Sequence, residues 1–211
     1  MPAWLPAVAS ADLPDGVVLP FRLFDEPLAL WRSRSGHVSA CADRCPHRGM
    51  RLSQGFVRGE TLRCIYHGWS YAGSGACRHI PAHPGLVPPD AIRVRTWRVA
   101  ETGGLVWVAS GDPQDRPPIY AGLVPLRSLT AKAAPASLQA SAEVDGTTGL
   151  LGDRVEGPVA RALLCAQAEG QTVIHVLVPE TSTGAERIAA SRWSEVLRRS
   201  AEARERGKAV A

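Results

Sequence analysis

The 211-residue chain contains no apolar run long enough to cross a bilayer and no block of basic residues interleaved with aromatics. The first lack argues against a transmembrane helix, which needs about 20 consecutive apolar residues. The second removes the usual footprint of a nucleic-acid binder. A secretory leader is not expected either. Ala9-Ser10-Ala11 has the small-residue look of a peptidase site, but no basic segment precedes it, and Pro2 and Pro6 interrupt a short apolar stretch. No twin arginine stands near the start. Cysteine is sparse and odd in number, at five, and is not spaced as a disulfide framework. In a reducing compartment such cysteines are metal ligands or free thiols. The expectation is a cytoplasmic protein with neither membrane nor nucleic acid among its partners.

What is present is ordinary globular composition, 45% hydrophobic and 21% charged, with a mild net charge of +4. The 20 glycines and 17 prolines lie mostly before residue 125, which favours short strands and turns there over long helices. Val17–Leu23 and Pro27–Trp31 read as a hairpin about an Asp25-Glu26 turn, followed by a strand from His37 to Cys41. Residues 94–100 and 105–109 read as a second hairpin. Residues 113–141, rich in Pro and Ala, read as a surface connector. A third hairpin is expected from 159–167 and 171–178, turning at Ala168-Glu169-Gly170. Thr183-x-x-Glu186 fits a capping box and opens a helix whose apolar stripe is Ala189, Trp193, Val196, Leu197 and Ser200 or Ala201. The basic excess of that helix (Arg187, Arg192, Arg198, Arg199, Arg204, Arg206, Lys208) suits a solvated face or a docking surface for an acidic partner. The fold class is mainly β: a small antiparallel β domain over 1–112, the connector, and a reduced α+β region over 142–211.

One pattern carries chemistry. Cys45-Pro46-His47-Arg48-Gly49 is followed by Cys64-Ile65-Tyr66-His67-Gly68-Trp69, with sixteen residues between His47 and Cys64. Two thiolates and two imidazoles satisfy an iron–sulfur pair in which one iron takes two Cys and the other two His. Pro46 stiffens the first loop, and Gly49 and Gly68 permit tight turns. The same four donors could hold one tetrahedral zinc. Zinc fingers, however, pair Cys with Cys and His with His, whereas here each half contributes one of each. That interleaving suits a binuclear cluster, with each loop giving one ligand to each iron. Cys41 and Cys165 read as core residues and Cys77 as a buried thiol beside the second loop. His37 reads as a turn residue, and His79 and His83 as loop contacts.

These residues resemble the Rieske domain of ring-hydroxylating and O-demethylating oxygenase α subunits. The resemblance runs through Asp43-Arg44-Cys45-Pro46-His47-Arg48-Gly49, Tyr66-His67-Gly68-Trp69-Ser70-Tyr71, Gly75-Ala76-Cys77, Ile80-Pro81 and Gly104-Leu105-Val106-Trp107-Val108. It implies a Rieske-type [2Fe–2S] cluster, with Cys45 and Cys64 on one iron and His47 and His67 on the other. It also implies one-electron transfer, an electron-donating reductase or ferredoxin, and an oxygenase partner or homo-oligomer. Met50 and Tyr66 stand where high-potential relatives carry two bridging cysteines, and Trp69 where they carry a serine. A potential low in the Rieske range, on the order of −150 mV, follows from fewer hydrogen bonds to the cluster.

The resemblance also implies a second domain with a mononuclear iron held by two His and one carboxylate. After residue 112 this chain has a single histidine, His175. The second half resembles a truncated version of that catalytic domain, and no catalytic residue is assigned. An electron-transfer component is therefore expected. A subunit served by a partner's iron, or a redox sensor, are the alternatives.

Overall fold

The computed structural model describes residues 3–144, 154–156, 160–167 and 170–208. The chain begins with β1 (Ala3–Ala9), β2 (Val18–Leu23), β3 (Glu26–Arg32) and β4 (Val38–Ala42). Short strands follow: β5 (Phe56–Arg58), β6 (Thr61–Arg63), β7 (Ser70–Ala72), β8 (Cys77–His79) and β9 (Thr96–Trp97). Next come β10 (Val99–Thr102), β11 (Leu105–Ser110), β12 (Leu123–Ala131) and α1 (Pro135–Val144). The chain closes with β13 (Arg154–Glu156), β14 (Arg161–Ala166), β15 (Thr172–Pro179) and α2 (Gly184–Lys208). Two compact units result, one mainly of residues 10–101 and 106–117, the other mainly of 118–211 with 6–9 and 102–105.

Among the described residues the first unit holds a sheet in the order β2-β3-β4-β9 and a second in the order β5-β6-β7-β8; β1, β11 and β10 make a third. The unbroken apolar run Leu28–Trp31 is buried along its whole length, as a strand covered on both faces requires. β2 alternates instead, with Phe21 and Leu23 inward and Pro20 and Arg22 outward. The β2–β3 pairing runs to Leu23↔Glu26, so the turn is Phe24-Asp25 rather than Asp25-Glu26. A two-residue hairpin turn needs positive φ. Phe24 takes it, at 53°, because burial of Phe21 and Leu23 sets the register. At the end of β3 the buried Arg32 guanidinium donates to Leu13 O at 2.6 Å and to both Glu101 oxygens at 2.7 and 2.9 Å.

In the second unit the sheet order is β12-β15-β14-β13. β14 and β15 pair from Arg161↔Leu177 to Ala166↔Thr172, which matches the expected third hairpin; Ala168 and Glu169 of its turn lie outside the described residues. The capping box is present. Thr183 N–H donates to Glu186 Oε2 at 2.7 Å, and Glu186 N–H donates back to Thr183 Oγ1 at 3.3 Å.

Two expectations are corrected here. The segment read as a connector carries β12, which pairs with β15 from Leu123↔Pro179 to Ala131↔Thr172, and the helix α1. Its local pattern is weak because its partners are remote. The Glu205 carboxylate of α2 accepts from Ala134 N–H and the Ser137 hydroxyl at the start of α1. The buried stripe of α2 is also rotated, to Ala190, Ser194, Leu197 and Ala201, leaving Ala189 and Val196 exposed. Ser194 tolerates burial because its hydroxyl donates to Ser191 O at 2.8 Å. No helix among the described residues is long and apolar enough to cross a membrane.

Candidate metal centre

The two Cys/His segments fold into matching loops. In the first, Cys45 N–H donates to Met50 O at 2.8 Å and Gly49 N–H to Cys45 O at 2.8 Å. In the second, Cys64 N–H donates to Trp69 O at 2.9 Å and Gly68 N–H to Cys64 O at 3.0 Å. Each loop thus closes between a cysteine and the residue five positions later, with a glycine at positive φ just before the closure, 73° for Gly49 and 71° for Gly68. The first loop leaves β4 and leads to β5; the second joins β6 to β7. Asp43, buried just before the first loop, anchors it by accepting from Ser53 N–H at 2.6 Å and the Ser53 hydroxyl at 2.7 Å.

The donors separate by chemistry. Cys45 and Cys64 are 2% exposed and belong to the apolar core of this unit, with Trp31, Leu62, Tyr71 and Val94. His47 and His67 are exposed. Their rings lie 4.7 Å apart, edge to face at 62°, and His47 stacks on Trp69 at 4.5 Å with an interplanar angle of 5°. Trp69 therefore bridges the loops, since a side chain of the second supports the imidazole of the first.

The cysteine sulfurs are supplied with donors. The Tyr71 hydroxyl lies 3.1 Å from Cys45 Sγ. Burial and the neighbouring Cys45 hold the Cys64 thiol above its ordinary pKa, while the backbone N–H groups of Tyr66 and His67 act in the opposite sense. The His47 imidazole is held below its usual value by desolvation, by His67 and by the Arg48 guanidinium. Two buried sulfurs with N–H and O–H donors, and two exposed imidazoles in contact with each other, form a set that fits a binuclear cluster with two ligands per iron. Among the described residues no three His, Cys, Asp or Glu side chains gather as they would around a single ion.

The Rieske [2Fe-2S] domain family matches residues 3–98.

Residues 3–98 are a Rieske [2Fe–2S] domain.

The chain is 44% identical over 115 residues to the oxidoreductase NdmD of Pseudomonas putida, covering 54% of this chain and 20% of that protein. It is 42% identical over 91 residues to the oxygenase component of dicamba O-demethylase of Stenotrophomonas maltophilia, covering 43% of this chain and 26% of the relative. The matched stretch therefore spans about a fifth to a quarter of these curated relatives. In fold, the crystal structure of dicamba monooxygenase bound to dicamba aligns with a TM-score of 0.78 at 19% identity, over 99% of this chain and 88% of that one. NdmA of Pseudomonas putida CBB5 aligns at 0.71 and 18% identity, over 95% of this chain and 79% of that one.

Other residues singled out from the sequence lie elsewhere. Cys41, Cys77 and Cys165 are buried and unbridged, and burial pushes the Cys41 thiol up to about 12. His37 Nδ1 lies 2.8 Å from Ser35 Oγ in the turn before β4. His175 is fully enclosed in the second unit. Its Nε2 donates to Pro6 O at 3.1 Å, so Nδ1 is the acceptor for the Ser128 hydroxyl at 2.9 Å. Both ring nitrogens are engaged, and neither is offered to a metal. Tyr71 is the residue the sequence reading passed over: it stands in the quoted Tyr66–Tyr71 stretch, but its partner is 26 positions away.

Proposed function

We propose that Cys45 and Cys64 ligate one iron and His47 and His67 the other of a Rieske-type [2Fe–2S] cluster, and that the chain moves single electrons within an oxygenase-type oxidoreductase system. When bound, such a cluster takes up and releases one electron between its diferric and mixed-valence states. The observation that carries the reading is the pair of matching loops that bury two sulfurs and expose two imidazoles 4.7 Å apart. The chain's own residues divide the work. The apolar core keeps water from the sulfurs. Tyr71 and the loop N–H groups offset negative charge on them, and Trp69 orients His47. His47 and His67 form the outward edge through which an electron enters or leaves, and a reductase or ferredoxin is the donor. Five unbridged cysteines suit the reducing cytoplasm.

The test is EPR of the anaerobically reduced protein, with nitrogen couplings measured. Expected is a mixed-valence signal coupled to two imidazole nitrogens, lost in Cys45→Ser. A colourless protein with one zinc per chain would sink the assignment.

A second reading follows from the fold likeness, which extends along nearly the whole chain: a subunit of an oxygenase assembly in which another chain supplies the mononuclear iron. Two irons per purified chain support the carrier reading; three would require a further site.

A further inference from the structure

Arginine dominates the charge of the segment that carries both loops. Between residues 44 and 89 stand Arg44, Arg48, Arg51, Arg58, Arg63 and Arg78, against a single carboxylate, Glu60. Glu60 is already engaged, accepting from the Ser35 hydroxyl at 2.6 Å and from Ser35 N–H at 3.2 Å. The neighbouring Asp43 is buried and turned to Ser53. Arg44, Arg48 and Arg51 are exposed, and none makes an ion pair or a side-chain hydrogen bond among the described residues. All three belong to the first loop or its flanks, and the Arg44 guanidinium lies over the Gly49 turn.

The basic helix α2 behaves differently. Arg198 pairs with Glu195 at 2.6 Å and Glu202 at 2.8 Å, Arg199 with Glu195 at 3.0 Å, and Lys208 with Glu205 at 3.5 Å. Much of its charge is neutralised on its own surface. Positive charge beyond that neutralised by local carboxylates thus stands at the metal loops as well as at Arg192, Arg204 and Arg206 of the helix, and the loops are where it meets the imidazoles.

Solvated arginines need no partner, so charge alone does not make a docking surface. The second loop supplies the other half of one. Ile65 and Tyr66 are 57% and 59% exposed, and the Tyr66 ring lies 3.8 Å from that of His67. The loops meet at His47 and His67, and the Arg48 guanidinium acts on the His47 imidazole, so exposed apolar side chains of one loop and unpaired arginines of the other stand on adjoining loops. An apolar centre with a charged rim is the anatomy of a protein interface, and a single-sign rim steers an oppositely charged partner.

We infer that this face, Arg44, Arg48 and Arg51 beside Ile65 and Tyr66, is the docking surface for an acidic one-electron carrier protein. The inference rests on the cluster assignment above. In the docked pair the carrier loses one electron and the Rieske centre gains one, with no bond formed or broken.

The experiment uses the cluster-loaded full chain and an acidic plant-type [2Fe–2S] ferredoxin as probe. Equilibrium binding and the bimolecular reduction rate are followed from low to high ionic strength. Expected for the wild type is a rate that falls steeply with salt. The Arg44→Gln/Arg48→Gln/Arg51→Gln variant should bind at least tenfold more weakly, react about 10–100-fold more slowly at low salt, and show a nearly flat salt profile. Ile65→Ser should weaken binding and leave the salt slope intact. Arg192→Gln/Arg204→Gln on α2 should change neither readout. EPR of every variant separates the two claims: loss of the Rieske signal in the wild type indicts the cluster assignment. An intact signal with unchanged binding and salt slope in the triple variant overturns the docking surface alone, as does a loss confined to the α2 variant.

Discussion

At the scale of single residues the proposed cluster site is set by groups beyond the four candidate ligands. Tyr71 offers its hydroxyl to Cys45 Sγ at 3.1 Å from a buried position. A hydrogen bond to sulfur is stronger when the cluster carries the extra electron, so it stabilises the reduced state and raises the potential. Tyr71→Phe is expected to lower the midpoint by roughly 50 mV, equivalent to about 1.2 kcal/mol of hydrogen bonding. Redox titration with EPR detection measures it; an unchanged or higher midpoint would exclude Tyr71 as a tuning donor. This contact also qualifies the low potential expected from Trp69, because one donor to the cluster sulfurs is retained. His175 illustrates a different residue-scale effect. Full burial holds its pKa down at about 4, against the Pro6 carbonyl, which favours the cation. Below about pH 6.5 the unfolded chain binds a proton that the folded chain refuses. The contribution is thus complete above pH 6.5 and is lost as pH falls toward 4, on the order of 3 kcal/mol in total. Thermal melts of wild type and His175→Gln across that range should converge as pH falls; parallel curves would show that His175 does not titrate on unfolding.

At the scale of elements the two metal loops are equivalent in hydrogen bonding but not in their tolerance of change. A Cβ on Gly68 would lie 2.9 Å from Pro81 Cγ, in addition to the strain of φ 71°. A Cβ on Gly49 would meet only Arg44 at 3.5 Å, the end of a flexible side chain. Gly68→Ala is therefore expected to destabilise the domain by about 2 kcal/mol or more and Gly49→Ala by about 1 kcal/mol. The visible absorbance of the cluster should decay faster in Gly68→Ala than in Gly49→Ala on incubation with chelator. Equal decay would mean that the Pro81 contact is relieved at little cost. The helices show the same contrast between local and remote causes. The start of α2 is written in Thr183 and Glu186, three residues apart, and was legible for that reason. The start of α1 depends on Glu205, 71 positions from Ala134, and no reading of Pro135–Val144 alone reveals it.

At the scale of the whole molecule the question is how much iron one chain holds. The described residues offer a Rieske centre in the first unit, and the sole histidine of the second half, His175, is committed to Pro6 and Ser128. Two irons and two acid-labile sulfides per chain are expected from elemental and colorimetric analysis of the purified protein. A third iron, with a high-spin ferrous signature, would require a mononuclear site beyond the four donors of the two loops.

The sequence by itself determined what rests on neighbours along the chain. The two Cys/His loops, with glycine set to close each turn, were readable because a turn is built within six residues. The same holds for the capping box, the β14–β15 hairpin and the strand at Pro27–Trp31. Only the tertiary structure decided what rests on residues brought together from afar. The hydroxyl of Tyr71 at Cys45, the stacking of Trp69 on His47, the pairing that makes a strand of Leu123–Ala131, and the burial of Ser194 in place of Val196 belong to that class. The structure likewise decided the pairing of Arg198 and Arg199 with carboxylates along α2, against the arginines left unpaired on the first metal loop. Turn geometry is a short-range property of the backbone, whereas packing and charge pairing depend on which distant surfaces meet.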